Sequence, residues 1–342
     1  MKRSYSSASR SKRSYSSASR TTTSLALVLF AAGCSATRIT PGLEEPFAVE
    51  GGQFLEGVLP GAPPDQPPAA PRATAITTEV TQLSPGLSEV PFFGWATLDA
   101  VSVAARIEGQ GSGYWVVPAG PPDPQVQGEP VRSWRFVAAL HESLLPGRHR
   151  MLVAALDDAG RAGTQLESTL CIHRKVPDNG NACDPKKAPP ELVVSLAWDR
   201  PADLDLIVVT PDSQTISSGV PSKGLAAEQK IDRSSPEQNP PGAGYLDFDS
   251  NRGCARDGRQ LENVVFQERP PPGSYLVYVN LHDACGEASV RYAVSRWSRT
   301  VTDAQAGTFT VTESDRKSGT LQAVQVDRGA GFGTFVTEIF VP

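Results

Sequence analysis

The 342-residue sequence lacks basic clusters beyond its first 33 residues. It contains 32 Lys and Arg against 37 Asp and Glu, and six of the basic residues lie in that N-terminal stretch, which has no acidic residue. The rest of the chain carries 26 basic and 37 acidic residues, a net charge of −11. Because nucleic-acid binding depends on Lys and Arg gathered on one surface, this balance argues against a nucleic-acid partner.

Motifs of common enzyme classes are also missing. The four histidines form no zinc-protease helix motif, and no Gly-x-Ser-x-Gly nucleophile elbow occurs. The glycine-rich segment Gly329–Gly333 lies between the predicted strands Leu321–Val326 and Phe335–Phe340, so we interpret it as a hairpin loop and not as a phosphate-binding loop. We therefore expect a protein that is not an enzyme.

No apolar run is long enough to predict a membrane-spanning helix. The run Leu25–Ala32 is too short to cross a bilayer, but it follows a basic stretch and suits the apolar region of a secretory signal. Residues 1–33 are therefore predicted to be a signal peptide. The basic stretch repeats KRSYSSASR at Lys2–Arg10 and Lys12–Arg20, a repeat to which we assign no function.

The signal ends in Ala31-Ala32-Gly33-Cys34, which resembles the lipobox of bacterial lipoproteins. The resemblance implies cleavage before Cys34 and acylation of that cysteine. Each buried methylene adds about 0.8 kcal/mol, so several acyl chains would anchor the protein to a membrane. Ser35 is not the Asp that resembles an inner-membrane retention signal, which favours the outer membrane. The alternative is an ordinary cleaved signal in which Cys34 is incidental.

Proline and glycine are concentrated after the predicted cleavage site. Between Pro41 and Ala73 there are eight prolines and five glycines. Because proline fixes φ and favours extended chain, residues 34–74 are predicted to be a semi-rigid tether.

Short apolar runs separated by turn residues then predict an all-β fold of two β-sandwich modules. An immunoglobulin-like sandwich is expected over residues 75–175, a linker over 176–190 and a jelly-roll-like sandwich over 191–342. In the first module the turn Pro146-Gly147 leads into the apolar strand His149–Leu156. This pattern of turn and strand resembles bacterial immunoglobulin-like domains. In the second module the predicted strands include Thr308–Val311 as well as the two that flank the glycine-rich loop.

Several motifs of the second module resemble the YfaP-like family of exported bacterial β proteins. They lie in order over about residues 190 to 295: Trp198-Asp199, Ala202–Leu206, Pro211-Asp212, Asp247–Asp249, Glu262–Val264 and Pro272–Asn280. Ser213 stands where a glycine commonly follows the Pro-Asp pair, and a long insert, Ser217–Gly244, separates the third and fourth groups. The resemblance implies a β-sandwich fold and export, and it implies no reaction.

Four cysteines remain besides Cys34, and an even number in an exported chain favours disulfides. Three pairings are possible. We predict Cys171–Cys183 and Cys254–Cys285, because each pair lies within one region of the chain. The alternative for the second pair is a metal site that includes His282, although no Cys-x-x-Cys motif is present.

Two acidic pairs in the second module predict a metal site. Asp203 and Asp205 alternate along a strand start, so their side chains share one face, and Asp247 and Asp249 repeat that spacing. If the two strand ends are adjacent, four carboxylates converge and need a cation, for which calcium is the natural candidate. Further oxygen ligands could come from Asp257, Glu262, Asn263 or backbone carbonyls. The alternative is that these side chains cap turns and hydrogen-bond backbone amides.

The function predicted from these features is that of an outer-membrane lipoprotein. We expect a noncatalytic binding or scaffolding module that holds an envelope protein or glycan with exposed loops. One alternative is a metal-dependent envelope hydrolase that uses the Asp cluster, and another is a passive structural spacer.

Overall fold

The computed structural model describes residues 40–80, 82–126, 130–220, 222–223 and 240–342. All of them lie in one compact unit, Ile39–Pro342. The predicted signal peptide and the predicted lipidation site Cys34 lie outside the described residues. Among the residues that are described, no helix has the length and apolarity needed to cross a bilayer.

The N-terminal half forms two antiparallel sheets. Their strands are β1 Phe47–Val49, β2 Gln53–Glu56, β3 Ala73–Thr78, β4 Val90–Thr97, β5 Ser102–Ile107, β6 Gly113–Pro118, β7 Val131–Leu140, β8 Gly147–Leu156 and β9 Leu166–Ile172. One sheet has the order β1-β7-β4-β3 and the other the order β2-β6-β5-β8-β9. Phe92 and Trp134 of the first sheet and Met151 and Val153 of the second belong to one buried cluster. The core therefore lies between the two sheets.

The segment predicted as a tether is part of this fold, so that prediction is wrong for the described residues. Strand β1 pairs with β7, and β2 pairs with β6. Phe47 is 4% exposed and packs edge-on against Phe136, with ring centroids 6.1 Å apart. Further along, the amide N–H of Gly163 donates to Pro71 O at 3.0 Å. Proline is compatible with extended chain at a sheet edge as well as with a free linker. Apolar residues between the prolines, such as Phe47, favour the packed arrangement, because they are buried in it.

The C-terminal half forms two more antiparallel sheets. Their strands are β10 Leu192–Trp198, β11 Asp203–Val209, β12 Thr215–Ile216, β13 Ser222–Lys223, β14 Gly244–Leu246, β15 Leu261–Phe266, β16 Gly273–Asp283, β17 Ser289–Asp303, β18 Thr308–Gln322 and β19 Thr334–Val341. The sheet orders are β13-β14-β15-β10-β17-β18 and β12-β11-β16-β19. Leu196 and Val264 of the larger sheet share a buried cluster with Leu204 and Val277 of the smaller. The all-β prediction is confirmed, with a pair of facing sheets in each half.

The C-terminal strands correct two sequence-based expectations. Thr308–Val311 and the start of Leu321–Val326 belong to one long strand, β18, which pairs with β17 along its length. Strand β19 pairs with β16 in the other sheet. The glycine-rich segment Gly329–Gly333 therefore crosses from one sheet to the other and is not a hairpin loop.

The segment between the two halves contacts strands and loops of the C-terminal sheets. The side-chain amide of Asn181 donates to Phe309 O at 3.0 Å, and that of Asn179 donates to Gln267 Oε1 at 3.1 Å. Asp178 is buried and accepts hydrogen bonds from the N–H groups of Gly180 and Ala182. These contacts fix the segment against the second pair of sheets.

Candidate metal centre

The acidic cluster begins at the first residues of β11. Leu204 and Leu206 point into the core between the C-terminal sheets, and Asp205 leaves the opposite face of the strand. The register of β11 against β16 shifts between Asp203 and Leu204, which marks a bulge at the strand start. Both aspartates are nonetheless buried, with Asp203 2% and Asp205 5% exposed.

Asp249 completes a group of three carboxylates. One oxygen from each of Asp203, Asp205 and Asp249 lies within 4.8 Å of the others. Asp249 comes from the loop after β14, in the sheet that faces β11. The sequence-based prediction that these two regions meet is therefore confirmed for three of its four aspartates.

Asp247 does not join the group, so the prediction is wrong for this residue. Its two carboxylate oxygens accept hydrogen bonds from Asn263, one from the backbone N–H at 2.9 Å and one from the side-chain amide at 2.8 Å. Strand β14 ends at Leu246, so the alternation that would have placed Asp247 and Asp249 on one face does not continue. Asp247 has the hydrogen-bonding role that was the alternative to a metal site.

Burial and the charge of Asp205 disfavour the charged forms of Asp203 and Asp249. The pKa of Asp203 is raised to about 6. Burial is the largest cause, a hydrogen bond from the Gly253 N–H at 2.7 Å opposes it, and the charge of Asp205 adds to it. The pKa of Asp249 is raised by burial first and by Asp205 second. A bound cation would remove this cost, because it favours the ionised form of every carboxylate that it touches.

Glu262 supports the site from the facing sheet. It is fully buried, and burial raises its pKa well above the ordinary value. Its two oxygens accept hydrogen bonds from the Leu206 N–H at 2.7 Å and the Ser250 N–H at 3.1 Å. The side chain thus joins β15 to the start of β11 and to the loop that carries Asp249. It holds these segments together, and its oxygens are already engaged by backbone donors.

His282 contacts the cluster from β16. Its Nδ1 lies 3.4 Å from Asp205 Oδ2, and its side chain is 41% exposed. The predicted alternative that combined His282 with Cys254 and Cys285 is wrong, because the two sulfurs are joined to each other as a disulfide and offer no thiolate.

The same disulfide closes the loop that covers the carboxylates. It joins Cys254, in a 3₁₀ turn at Arg252–Cys254, to Cys285 just after β16. Within this loop Asp257 accepts hydrogen bonds from the N–H groups of Asn251 and Arg259, so it caps a turn and stays out of the cluster. The Asp-rich loop is therefore fixed at both ends, by Glu262 and by the disulfide.

The second predicted disulfide, Cys171–Cys183, is also present. It joins β9 to the segment between the two halves. Both predicted pairings are confirmed, and two disulfides indicate a protein of an oxidising compartment outside the cytoplasm.

The donor set defines what the cluster can bind. Three carboxylates within 4.8 Å offer oxygen atoms only, the ligand type that hard divalent cations such as Ca²⁺ and Mg²⁺ prefer. This buried triad can hold a metal ion. The alternation of Asp residues indicated the three aspartates, and the sequence analysis named Glu262 among the possible further oxygen ligands. The hydrogen bonds of Glu262 to backbone N–H groups and the contact of His282 with Asp205 could not be predicted, because only the folded sheets bring β15 and β16 beside β11.

No protein-family model matches the chain, and no curated protein is similar to it in sequence.

Proposed function

We propose that the protein is an exported envelope lipoprotein that acts as a noncatalytic binding or scaffolding module. The observation that carries the noncatalytic part is the burial of two of the three carboxylates, while the side chain of the third, Asp249, is 23% exposed. Asp203 and Asp205 are 2% and 5% exposed beneath a disulfide-closed loop. A hydrolytic metal needs an open coordination position that substrate and water can reach, whereas a structural metal is enclosed. An enclosed cation stabilises the fold and leaves exposed loops for a protein or glycan partner.

Calcium is the ion that this proposal assigns to the triad. Calcium accepts about six to eight oxygen ligands in flexible geometry, which suits carboxylates that come from a strand start and a loop. Magnesium demands a near-ideal octahedron and keeps several waters, which suits a closed protein site less well.

Membrane attachment through Cys34 and an outer-membrane location are the second part of the proposal. They are supported by the signal-like sequence before Cys34 and by the two disulfides. We further propose that the first pair of sheets is immunoglobulin-like and that the second is a jelly-roll-like relative of the YfaP-like family.

A hydrolysis screen separates the binding module from a metal-dependent hydrolase. Purified protein is assayed on peptide, glycan and ester substrates with added calcium and with chelator. The proposal expects no turnover in either condition, together with capture of an envelope partner by the wild-type protein. Chelator-sensitive turnover that is lost in Asp205→Asn would overturn it. No partner in either the protein or the glycan fraction would favour the passive spacer.

Metabolic labelling tests the anchor. Cells that express the wild-type chain are expected to incorporate labelled palmitate into it and to retain it in the membrane fraction. Cys34→Ala is expected to lose the label. An unlabelled wild-type protein found free in the medium would contradict the lipoprotein assignment.

A further inference from the structure

A buried asparagine lies beside the acidic triad on the neighbouring strand. Asn280 of β16 pairs directly with Asp205 of β11. Directly opposite residues of an antiparallel pair extend their side chains from the same face, with Cβ atoms about 4.5–5.5 Å apart. Asn280 is 0% exposed, so its side-chain amide and the carboxylate of Asp205 share one enclosed region.

Only one end of that amide is hydrogen-bonded. Nδ2 of Asn280 donates to Gly331 O at 2.8 Å. Oδ1 is buried and accepts no hydrogen bond from any residue that the structure describes. Rotating the amide by 180° does not solve this, because it would turn Oδ1 toward the carbonyl of Gly331 and set two acceptors against each other.

The segment that holds Nδ2 is fixed close to β16. A Cβ atom on Gly333 would lie 2.5 Å from Val279 O and 2.7 Å from the Cα of Asn280, and Gly333 has a φ of 74°. Glycine is therefore required at this crossing, and the crossing segment lies directly on the strand that carries Asn280. Because Nδ2 is bonded to this segment, Oδ1 is the atom of the amide that stays unpartnered, on the residue directly opposite Asp205.

The unpartnered carbonyl oxygen of Asn280 adds a further acceptor to a group of three carboxylates, in which the Gly253 N–H donates to Asp203 and Arg252 Nε lies 3.6 Å from Asp249. Buried polar atoms are almost always partnered, and a group of acceptors is satisfied together by a cation. We propose that Asn280 Oδ1 is the fourth protein ligand of a divalent-cation site formed with Asp203, Asp205 and Asp249. The proposal rests on the cation site of the proposed function and extends it by a residue to which the sequence analysis gave no ligand role.

The four ligands give the ion a specific structural role. They come from the start of β11, from the loop after β14 and from β16, and Asn280 also holds the segment that leads to β19 through Gly331. A bound ion would therefore join the two facing sheets and fix the crossing segment between them. One amide and three carboxylates leave room for bidentate binding or water, within the range of about six to eight oxygens that calcium takes.

Calcium titration of four variants tests the assignment. The full chain, with disulfides intact, is freed of metal by chelator and titrated with calcium chloride by calorimetry. Asn280→Ala is expected to weaken calcium binding by at least about ten-fold, as loss of a metal-site group commonly does. Asn280→Asp, which keeps an oxygen in the same place, is expected to retain the calcium binding that Asn280→Ala loses.

Asn263→Ala is the matched control. Asn263 is also a buried strand asparagine whose Oδ1 has no hydrogen-bond partner among the described residues, but its amide faces Asp247 and not the triad. We expect this variant to bind calcium as the wild type does. A thermal unfolding scan in chelator checks that each variant is folded before titration.

The outcomes separate this inference from the rest of the account. Wild-type affinity in Asn280→Ala, together with lost binding in Asp205→Asn, would overturn the role of Asn280 and leave the triad and the proposed function intact. Equal weakening in Asn280→Ala and Asn263→Ala would also overturn it, because the effect would then be one of fold stability. Wild-type protein that binds no calcium would overturn the cation site itself.

Discussion

Removal of the disulfide Cys254–Cys285 should affect both stability and calcium binding. The bond joins residues separated by 31 positions. The chain-entropy model then predicts that Cys254→Ser/Cys285→Ser loses about 3.7 kcal/mol of unfolding free energy at 25 °C. The bond also fixes the turn in which the Gly253 N–H donates to Asp203. Without it that turn has more freedom, so we expect calcium affinity to fall by about ten-fold as the metal-site surroundings loosen.

The other disulfide provides the matched control for this prediction. Cys171 and Cys183 are 12 positions apart, and the same model predicts a loss of about 2.8 kcal/mol for Cys171→Ser/Cys183→Ser. This pair is distant from the triad in the sequence and belongs to other elements, so calcium affinity should not change. Urea unfolding measures the stability of both variants in chelator, and calorimetry measures their calcium affinity.

Two results would refute the reasoning. If both double variants lose calcium affinity equally, the effect follows general destabilisation and not the loop that covers the triad. If Cys254→Ser/Cys285→Ser binds calcium like the wild type, the loop does not hold the site in place.

Three further predictions concern the core, the excluded aspartate and pH. Phe92→Ala should cost about 3–5 kcal/mol in urea unfolding, because Phe92 is fully buried between the N-terminal sheets, and calcium affinity should be unchanged. Asp247→Asn should leave calcium affinity within about two-fold of the wild type, because this side chain binds Asn263 outside the triad. A larger loss of affinity in calorimetry would show that Asp247 is part of the calcium site. In chelator, the unfolding free energy should fall as pH rises from about 4 to about 6. Burial is the main reason that the pKa of Asp203 is raised from 3.8 to about 6, so the folded state holds this proton more tightly than the unfolded chain does. Urea titrations that show stability rising across this pH range would contradict the pKa shift.

Sequence patterns predicted the regular strands well where apolar residues run without interruption. Strand β8, Gly147–Leu156, contains the predicted strand His149–Leu156. Strand β4, Val90–Thr97, was not predicted, because Pro91 and Gly94 interrupt its apolar pattern. The glycine is required by tertiary packing, since a Cβ at Gly94 would lie 1.9 Å from Ala75 O. Such contacts between distant segments are not visible in a local pattern.

The site was predictable where aspartates repeat at a spacing of two residues. Asp203 and Asp205 were found because alternation places both near one strand start. Asp249 was grouped with Asp247 by the same rule, but the chain leaves the strand at Leu246 and separates them. Asn280 carried no signal, because its position opposite Asp205 depends on the register of two strands about 75 residues apart in the sequence.

A crystal structure of the full chain grown with calcium tests the central claim most directly. We expect an ion between Asp203, Asp205 and Asp249, with oxygen ligands at about 2.3–2.6 Å that include the Oδ1 of Asn280. The anomalous signal at long wavelength would identify the ion as calcium. The account would be contradicted if calcium-grown crystals showed the three carboxylates turned apart toward solvent with no anomalous peak between them.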